Sequence, residues 1–474
     1  MKRHGSTGLQ LTSSALVCAL LIGAGTPAAA AARHHFRPGS AGVGDPWYPM
    51  EGNGGYDVEH YALDLTYDPA SGRLDGVARI TAVATQDLSR FDLDLQQLTV
   101  TRVSVGGRAA AFRRDGQELV VTPRRGLPAS SRFEVEVAYG GVPQPLGADT
   151  PYGFVRTDDG MVTLNVQDGA STWFPGNDHP SDKASFTFTV RVPRDLDVVA
   201  NGRRVGRSTH GSWTTHVWSE RAPMATYLAT VDVGRWQVRS GATPGGIPEY
   251  VAVDPALTGP DLMSHFWRTT AAVTDRWASS FGPYPFDSTG AIVVWASHDG
   301  VQIPFSAETQ TRPVYSAADS DTIVAHELAH QWFGDSVGFA RWNEVWLSEG
   351  FAMFATWYWD ELNGRASAHD RARQIYQDHP EGDPFWSVPL TGPAQPTDEA
   401  GERIYFGGAM VLQMLREELG DATFFAVLRT WTQTYRHRTA TTADFTATAS
   451  RVSGRNLGGF FKTWLYSPAR PALP

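Results

Sequence analysis

Hydrophobic and polar residues alternate along much of the first half of the chain, roughly from Gly55 to Arg239. A period of two residues is typical of β-strands that bury one face and expose the other. Turn-forming pairs of glycine with glycine, aspartate or asparagine separate the alternating runs. The pattern predicts an N-terminal antiparallel β-sheet or sandwich domain over residues 44–240. The clearest runs are 61–67, 91–95, 133–139 and 186–192.

The second half of the chain has the longer period of amphipathic helices. A domain boundary is predicted at the glycine-rich segment 241–246, and a mainly helical domain is predicted over 247–474. Glycines that follow apolar runs, such as Gly420, are expected to end helices. The predicted elements are helices at 258–281, at 408–419 and from Asp421 onward, a buried strand at 291–295, and a loop at 378–403.

Two histidines at helical spacing carry the clearest chemistry of the sequence. His326 and His330 stand four residues apart, so on a helix they share one face at a separation that suits one zinc ion. Glu349 follows nineteen positions after His330 and can supply an oxygen as a third ligand. Two imidazoles and one carboxylate leave a fourth position open, as catalytic zinc sites do. Glu327, beside the first histidine, can act as the general base that takes a proton from water.

The surroundings of these residues favour a buried helix over a surface helix with two unremarkable histidines, which is the alternative. The segment 319–321 offers aspartate and serine as N-caps immediately before apolar residues. Glu349 lies in a second helical pattern rich in aromatic residues, where a buried carboxylate needs a partner. We therefore predict one zinc ion per chain.

The composition describes a globular protein of 474 residues, long enough for two or three domains. Its formal net charge is −10, and basic residues form neither a stripe nor a tail. Since nucleic-acid binding depends on such a basic surface, no nucleic-acid partner is expected.

The N-terminus has the features of an export signal. Lys2 and Arg3 precede a mostly apolar stretch that ends in small residues suited to cleavage, which predicts a signal peptide at 1–32. Because the apolar stretch is short and interrupted, no stable membrane span is expected after cleavage, and an uncleaved membrane anchor is the alternative. Cys18, the only cysteine, lies in this segment, so the mature chain would form no disulfide. We therefore expect a secreted, extracellular protein.

The segment His326–Phe351 closely resembles the aminopeptidase N family of zinc peptidases. The resemblance continues at 171–184, 281–286 and 405–409, and so covers nearly all of the mature chain. It implies a β domain followed by a thermolysin-like zinc catalytic domain. Long members of the family carry a further helical domain that closes the cleft. Because this chain ends at Pro474, only the first two domains and a more open cleft are expected.

The resemblance implies roles for three more residues. Glu308 matches the family glutamate that binds the free amino group of the substrate, although its segment otherwise departs from the family pattern. Tyr405 matches a tyrosine that stabilises the oxyanion, and this chain has Gly407 where the family often has lysine. Gln167 corresponds to a β-domain residue that lines the amine site. The alternatives are a solvated loop carboxylate, a core tyrosine and a structural glutamine.

Together these interpretations predict a secreted zinc aminopeptidase that acts on peptides with a free N-terminus. His326, His330 and Glu349 would hold zinc, and Glu327 would serve as base and then as acid toward the leaving amine. A thermolysin-like endopeptidase would share this zinc chemistry without an amine anchor. A non-catalytic binding protein that retains the fold is the second alternative.

Overall fold

The structure is a computed structural model, and it describes residues 34–147, 150–257, 261–295, 297–298, 301–302, 305–316, 320–392 and 401–473. The predicted signal peptide, 1–32, and the possible N-cap Asp319 lie outside the described residues. Within the chain from Phe36 onward, a β-rich region is followed by a mainly helical region, as the two hydrophobic periods predict.

An eight-stranded sheet forms the main body of the β-rich region. Alternate side chains of its long strands are buried, which is the period of two seen in the sequence. Neighbouring strands are antiparallel except for one pair, in which Phe186 lies beside Tyr61 in parallel register. The prediction of a β domain is confirmed, with this parallel pair as a departure from a purely antiparallel sheet. In spatial order the strands are Arg203–His210, Trp213–Ala225, Lys183–Pro193, Tyr56–Asp68, Arg73–Ala84, Arg132–Gly141, Thr99–Val105 and Arg108–Ala109.

Two four-stranded sheets complete the β-rich region. Aromatic rings fill the core of this region, with Tyr61 stacked on Phe186 at a centroid distance of 4.7 Å. One small sheet contains Arg37–Pro38, Leu88–Asp94, Glu118–Thr122 and Ala111–Asp115, and the other contains Gly153–Arg156, Met161–Leu164, Val231–Gly234 and Asp197–Ala200.

A further sheet opens the helical region. Gln237–Ala242 and Pro248–Val253 form an antiparallel hairpin, and the second strand pairs in parallel with Thr289–Val293. The predicted boundary at 241–246 lies at the turn of this hairpin, and the division into domains at 240 and 247 stays a prediction. The remaining strands are Val314–Tyr315 in the same sheet, Ser297–His298 paired with Val301–Gln302, and Val337–Phe339 paired with Arg438–Ala440.

Helices make up most of the remaining chain. The predicted helix at 258–281 begins at Leu262 behind an N-cap at Asp261, and the predicted helix Gly408–Leu419 ends at Gly420. The predicted loop at 378–403 is interrupted by a short helix that Asp383 caps. The α-helices are Leu262–Phe281, Asp321–Ala329, Trp346–Leu362, Ala368–Asp378, Pro384–Ser387, Gly408–Leu419, Asp421–Thr434, Thr442–Ser453 and Gly458–Phe461. Shorter 3₁₀ turns lie at Gly169–Thr172, Thr226–Leu228 and Trp342–Glu344, and π-helical turns lie at Arg403–Gly407 and Lys462–Tyr466.

Three of these elements carry the predicted site. We call Asp321–Ala329 the motif helix, Trp346–Leu362 the Glu349 helix and Arg403–Gly407 the Tyr405 turn. Among the helices of the described residues, none combines the length and apolar character needed to cross a membrane.

Side chains of the β-rich region hydrogen-bond to two segments of the helical region, one just after the motif helix and one just before the Glu349 helix. The Lys183 ammonium donates to the carbonyl of Asp335, just after the motif helix, at 2.5 Å. Asp45 accepts from the backbone N–H of Trp342 at 2.8 Å, and Glu51 accepts from its indole N–H at 2.6 Å. Because Trp342 lies just before the Glu349 helix, the segment that precedes the strand Tyr56–Asp68 helps to fix where that helix begins.

Candidate metal centre

The motif helix places both histidines in the interior. Val324 and Leu328 bury its apolar face, and His326 and His330 are 9% and 1% exposed. His330 stands at the C-terminal end of the helix, where the backbone is still helical, so the two imidazoles keep their one-turn separation.

The structure brings three ligand atoms to one point. Nε2 of His326 and Nε2 of His330 lie 3.2 Å apart. Oε2 of Glu349 lies 3.5 Å from the first nitrogen and 3.4 Å from the second. Among the described residues, this triad is the one set of three or more histidine, cysteine or acidic side chains close enough to share a metal ion.

Hydrogen bonds at the far side of each ring assign the imidazole tautomers. Nδ1 of His330 lies 3.1 Å from the carbonyl oxygen of Phe333, which can only accept, so this nitrogen carries a proton. Nδ1 of His326 lies 3.1 Å from the hydroxyl of Thr356, which already donates to the carbonyl of Ala352 at 2.9 Å. The hydroxyl must therefore accept from His326. Both Nε2 atoms consequently present lone pairs to the shared point.

This donor set fits zinc. Two lone pairs cannot hydrogen-bond each other, and within the described part of the chain Oε2 of Glu349 is buried without a hydrogen-bond partner. Only a cation satisfies all three atoms, and two imidazoles with one carboxylate are typical ligands of catalytic zinc. The electrostatics agree: burial opposes a charged imidazole, but Glu349 and its acidic neighbours raise the pKa of His330 to about 10. The site therefore attracts positive charge at the atoms where zinc would bind.

Glu327 and Tyr405 border the triad. Glu327 is 7% exposed, and its charge acts on both His330 and Tyr405. The Tyr405 ring is nearly parallel to that of His326, with 10° between the planes and 6.1 Å between centroids. The Tyr405 residue is 36% exposed, and desolvation of its phenol, followed by the charge of Glu349 within hydrogen-bonding reach, raises the Tyr405 pKa well above its ordinary value. The phenol therefore remains a hydrogen-bond donor at neutral pH.

A close approach of two backbones places Tyr405 there. Gly350, next to Glu349, packs against Gly408 at the end of the Tyr405 turn, and a Cβ atom at Gly350 would lie 2.8 Å from the Gly408 Cα. Only glycine at both positions lets the Glu349 helix and the Tyr405 turn come this close.

Glu308 lies on a loop that the end of the motif helix holds in place. The side chain of Gln331 accepts from the backbone N–H of Thr311 at 2.6 Å and donates to the carbonyl of Glu308 at 3.4 Å. Burial raises the pKa of Glu308, the charge of His330 lowers it, and the charge of Glu349 raises it again. The Glu308 carboxyl group therefore interacts electrostatically with two members of the triad, His330 and Glu349.

Gln167 lies in the β-rich region, between the strand Met161–Leu164 and the turn Gly169–Thr172. Its backbone has a φ of 63°, and its side chain hydrogen-bonds the phenol of Tyr48. The Tyr48 ring contacts Trp342 at a centroid distance of 5.8 Å. Tyr48 and Trp342 thus connect Gln167 to the start of the Glu349 helix. The role of Gln167 in substrate binding stays a prediction.

Sequence reasoning missed the residues that orient the ligands. Thr356 lies two helical turns after Glu349 and therefore on the same face, a spacing that could have marked it. Ser348 lies 2.9 Å from Nδ1 of His330 and supports the second imidazole. No local pattern marks Ser348, because its contact depends on how the two helices pack.

Comparisons with known proteins agree with this geometry. Residues 57–228 match the peptidase M1 N-terminal domain, and residues 295–464 match the peptidase family M1 domain. Probable aminopeptidase 2 of Sulfurisphaera tokodaii is 24% identical over 440 residues, covering 88% of this chain and 54% of that protein. Aminopeptidase M1-B of Oryza sativa subsp. japonica is 27% identical over 457 residues, covering 87% of this chain and 50% of that protein. The chain spans about half the length of these curated relatives.

Solved structures match over nearly their full length. The M1 zinc metallopeptidase from Deinococcus radiodurans has a TM-score of 0.81 and 28% identity, covering 91% of this chain and 99% of that chain. A mutant from the same organism, bound to a Tyr-Ser-Ala substrate, has a TM-score of 0.81 and 27% identity with the same coverage. Since two domains of one family match most of the sequence in order, and the fold agrees, the chain belongs to the peptidase M1 family of zinc metallopeptidases.

Proposed function

We propose that this protein is a zinc aminopeptidase that removes the N-terminal residue from peptides. The observation that carries the proposal is the position of Glu308, whose carboxyl group shares the electrostatic environment of His330 and Glu349. A carboxylate close enough to interact with two of the metal ligands can pair with the ammonium of a peptide whose first peptide bond lies at the metal. The names of the M1 relatives, which are aminopeptidases, support the same assignment.

Zinc bound by His326, His330 and Glu349 would polarise the scissile carbonyl and make a water molecule more acidic. Glu327 takes a proton from the attacking water and delivers it to the leaving amine, because its carboxylate lies beside the triad. The Tyr405 phenol donates a hydrogen bond to the carbonyl oxygen as negative charge develops there.

The ammonium of the substrate determines which peptides react. Glu308 accepts hydrogen bonds from this group, so a chain end fits and an internal segment leaves the half-buried carboxylate unpaired. The side chains that surround the first residue of the substrate set its preferred type.

The test compares an aminoacyl-p-nitroanilide with its N-acetylated form and with an internally quenched peptide blocked at both ends. We expect cleavage of the free amine only, loss of activity with a chelator, and recovery on adding zinc. Cleavage of the doubly blocked peptide at equal rate would make the protein an endopeptidase. Tight zinc binding without cleavage of any of the three would make it a non-catalytic binding protein.

We further propose that the protein is exported and acts outside the cell. The charged, apolar and small-residue segments at 1–32 support this proposal. Expression of the full chain in a secreting host should give a shortened protein in the medium whose N-terminal sequence begins near Arg33. Retention of Met1 in a cell-bound product would instead favour a membrane anchor.

A further inference from the structure

A buried arginine lies behind the Tyr405 turn. Arg403 is 1% exposed, and its guanidinium lies 5.0 Å from the ring centroid of Phe385 and 5.1 Å from that of Trp386. Nη2 donates to the carbonyl of Trp464 at 3.2 Å. Among the described residues, neither Nε nor Nη1 has a hydrogen-bond partner. A guanidinium buried in this way is costly, so its place in the structure calls for an explanation.

The same arginine explains the glycine at position 407. A Cβ atom there would lie 2.9 Å from Cδ of Arg403 and closer still to Nη1. Gly407 has an ordinary helical φ of −66°, so space, and not backbone conformation, requires glycine. The chain thus leaves this position without a side chain, and the guanidinium of Arg403 lies against it.

The side chains of Arg403 and Tyr405 extend from opposite faces of the Tyr405 turn. Residues two positions apart on a helix do not share a face, so Arg403 points into the aromatic pair while Tyr405 points to the triad. The turn is π-helical, a geometry that widens the helix locally and recurs at functional sites. Any rotation of the turn would carry the phenol away from the position beside His326.

We propose that Arg403 is a positioning residue for Tyr405: by stacking on Phe385 and Trp386 it fixes the rotation of the Tyr405 turn, and so the place of the phenol. The inference rests on the proposed function, in which the phenol stabilises the oxyanion. It assigns to Arg403 no contact with substrate or metal.

A double-mutant cycle tests this dependence. R403M should lower kcat on an aminoacyl-anilide about ten- to hundredfold with little change in KM, because a displaced catalytic group costs that much. In a Y405F background the same change should lower kcat by less than about twofold, since the group that it positions is gone. Equal losses in both backgrounds, or no loss in either, would overturn the proposal.

The matched control is R416M. Arg416 also stacks on two rings, Tyr358 and Phe425, but it lies near the far end of the helix that follows the Tyr405 turn. This variant is expected to lower thermal stability and leave kcat unchanged. If R403M does not fold, G407A serves in its place, because the added methyl group displaces the guanidinium without removing it.

A readout without turnover separates this proposal from the proposed function. With 3-fluorotyrosine at position 405, the zinc-loaded protein should give one narrow fluorine resonance, and R403M or G407A should shift or broaden it. An unchanged resonance in both variants would overturn the positioning role, even if the enzyme were active. If the wild-type protein has no peptidase activity but its fluorine resonance still responds to R403M, only the aminopeptidase assignment is overturned.

Discussion

Two buried clusters of titratable side chains in this protein differ in the groups that can neutralise their carboxylates. The first is the triad of His326, His330 and Glu349. The second, which we call the acidic pair, is Asp94 and Glu118, directly opposite each other on antiparallel strands of the β-rich region. Both members of the pair are 2% exposed. The pair shows what distinguishes a metal site from a cluster of buried acids.

Among the described residues, only one oxygen of the acidic pair, Oδ2 of Asp94, accepts hydrogen bonds, while Oδ1 of Asp94 and both carboxylate oxygens of Glu118 are buried without a partner. No histidine of the described residues joins the pair in a metal-binding set. Oδ2 of Asp94 accepts from the side-chain amide of Asn53 at 3.0 Å and from the backbone N–H of Asp178 at 2.8 Å. Burial, followed by the charge of Asp92, raises the pKa of Glu118 from its ordinary value of 4.5 to about 7. Burial and the charge of Glu118 raise the pKa of Asp94 as well. A proton bound by one of the two carboxyl groups therefore neutralises part of the negative charge of the pair.

The triad differs because its histidines already hold their protons on the far side. Thr356 and the carbonyl of Phe333 engage the two Nδ1 atoms, so the lone pairs of both Nε2 atoms face Glu349. The neighbouring hydrogen bonds thus turn two imidazole nitrogens toward one carboxylate oxygen, which is the donor set of a zinc site, and the acidic pair offers carboxylates alone.

The largest effect that tests this comparison is expected for Glu327→Gln. The amide keeps the size of the side chain but cannot take a proton from water, so kcat should fall about 10²- to 10⁴-fold. Zinc content, measured by atomic absorption on the purified variant, should stay at one ion per chain, because Glu327 is not one of the three ligands. Full activity in this variant would remove Glu327 from the mechanism, and loss of zinc would place it among the ligands.

Tyr405→Phe should give the next largest effect. Removal of one oxyanion donor lowers kcat by about 10²- to 10³-fold, while substrate binding in the ground state changes little. Initial rates over a range of aminoacyl-anilide concentrations separate kcat from KM. A rise in KM with unchanged kcat would show that the phenol binds substrate and does not stabilise the transition state.

The triad could be predicted from the sequence because covalent spacing fixes it. His326 and His330 share a helix, and the aromatic pattern around Glu349 marks a second helix that needs a partner for its carboxylate. Glu308 and Tyr405 required a family resemblance, since loops and packing bring them to the triad over long stretches of chain. The long strands with one buried face followed from alternation. Strands that are buried on both faces, such as Met161–Leu164, or exposed along their length, such as Ala111–Asp115, show no alternation in burial, so this pattern could not predict them.

The acidic pair could not be predicted for a related reason. The contact between Asp94 and Glu118 depends on the register of two strands that lie 24 residues apart in sequence. A one-residue shift of that register would turn both side chains to the other face. The parallel pairing of Tyr61 with Phe186 likewise leaves no mark in the sequence, because both strands show the same alternation.

A smaller effect is expected for Thr356→Val, which tests the tautomer argument directly. Valine keeps the shape of threonine but cannot accept from Nδ1 of His326, and loss of such a supporting bond weakens metal binding about 10- to 100-fold. Competition with a fluorescent zinc chelator measures the affinity. Thr430→Val is the matched control, because Thr430 makes the same bond to the carbonyl four residues before it and has no histidine partner. Equal zinc affinity in both variants would contradict the assigned role of Thr356.

The smallest effect is expected for a substitution in the acidic pair, and it tests whether the pair and the triad differ as described. A carboxyl group whose pKa is raised on folding binds its proton more tightly in the folded state, so its contribution to stability is complete below about pH 4.5 and is lost as the pH rises toward about 7. Glu118→Gln removes this loss. Relative to wild type, the variant should gain about 1–3 kcal/mol in free energy of unfolding between pH 5 and pH 8, measured by urea denaturation. If calcium or zinc at pH 8 instead stabilises the wild type and not the variant, the pair holds a cation, and the tautomers of His326 and His330 no longer distinguish the two sites.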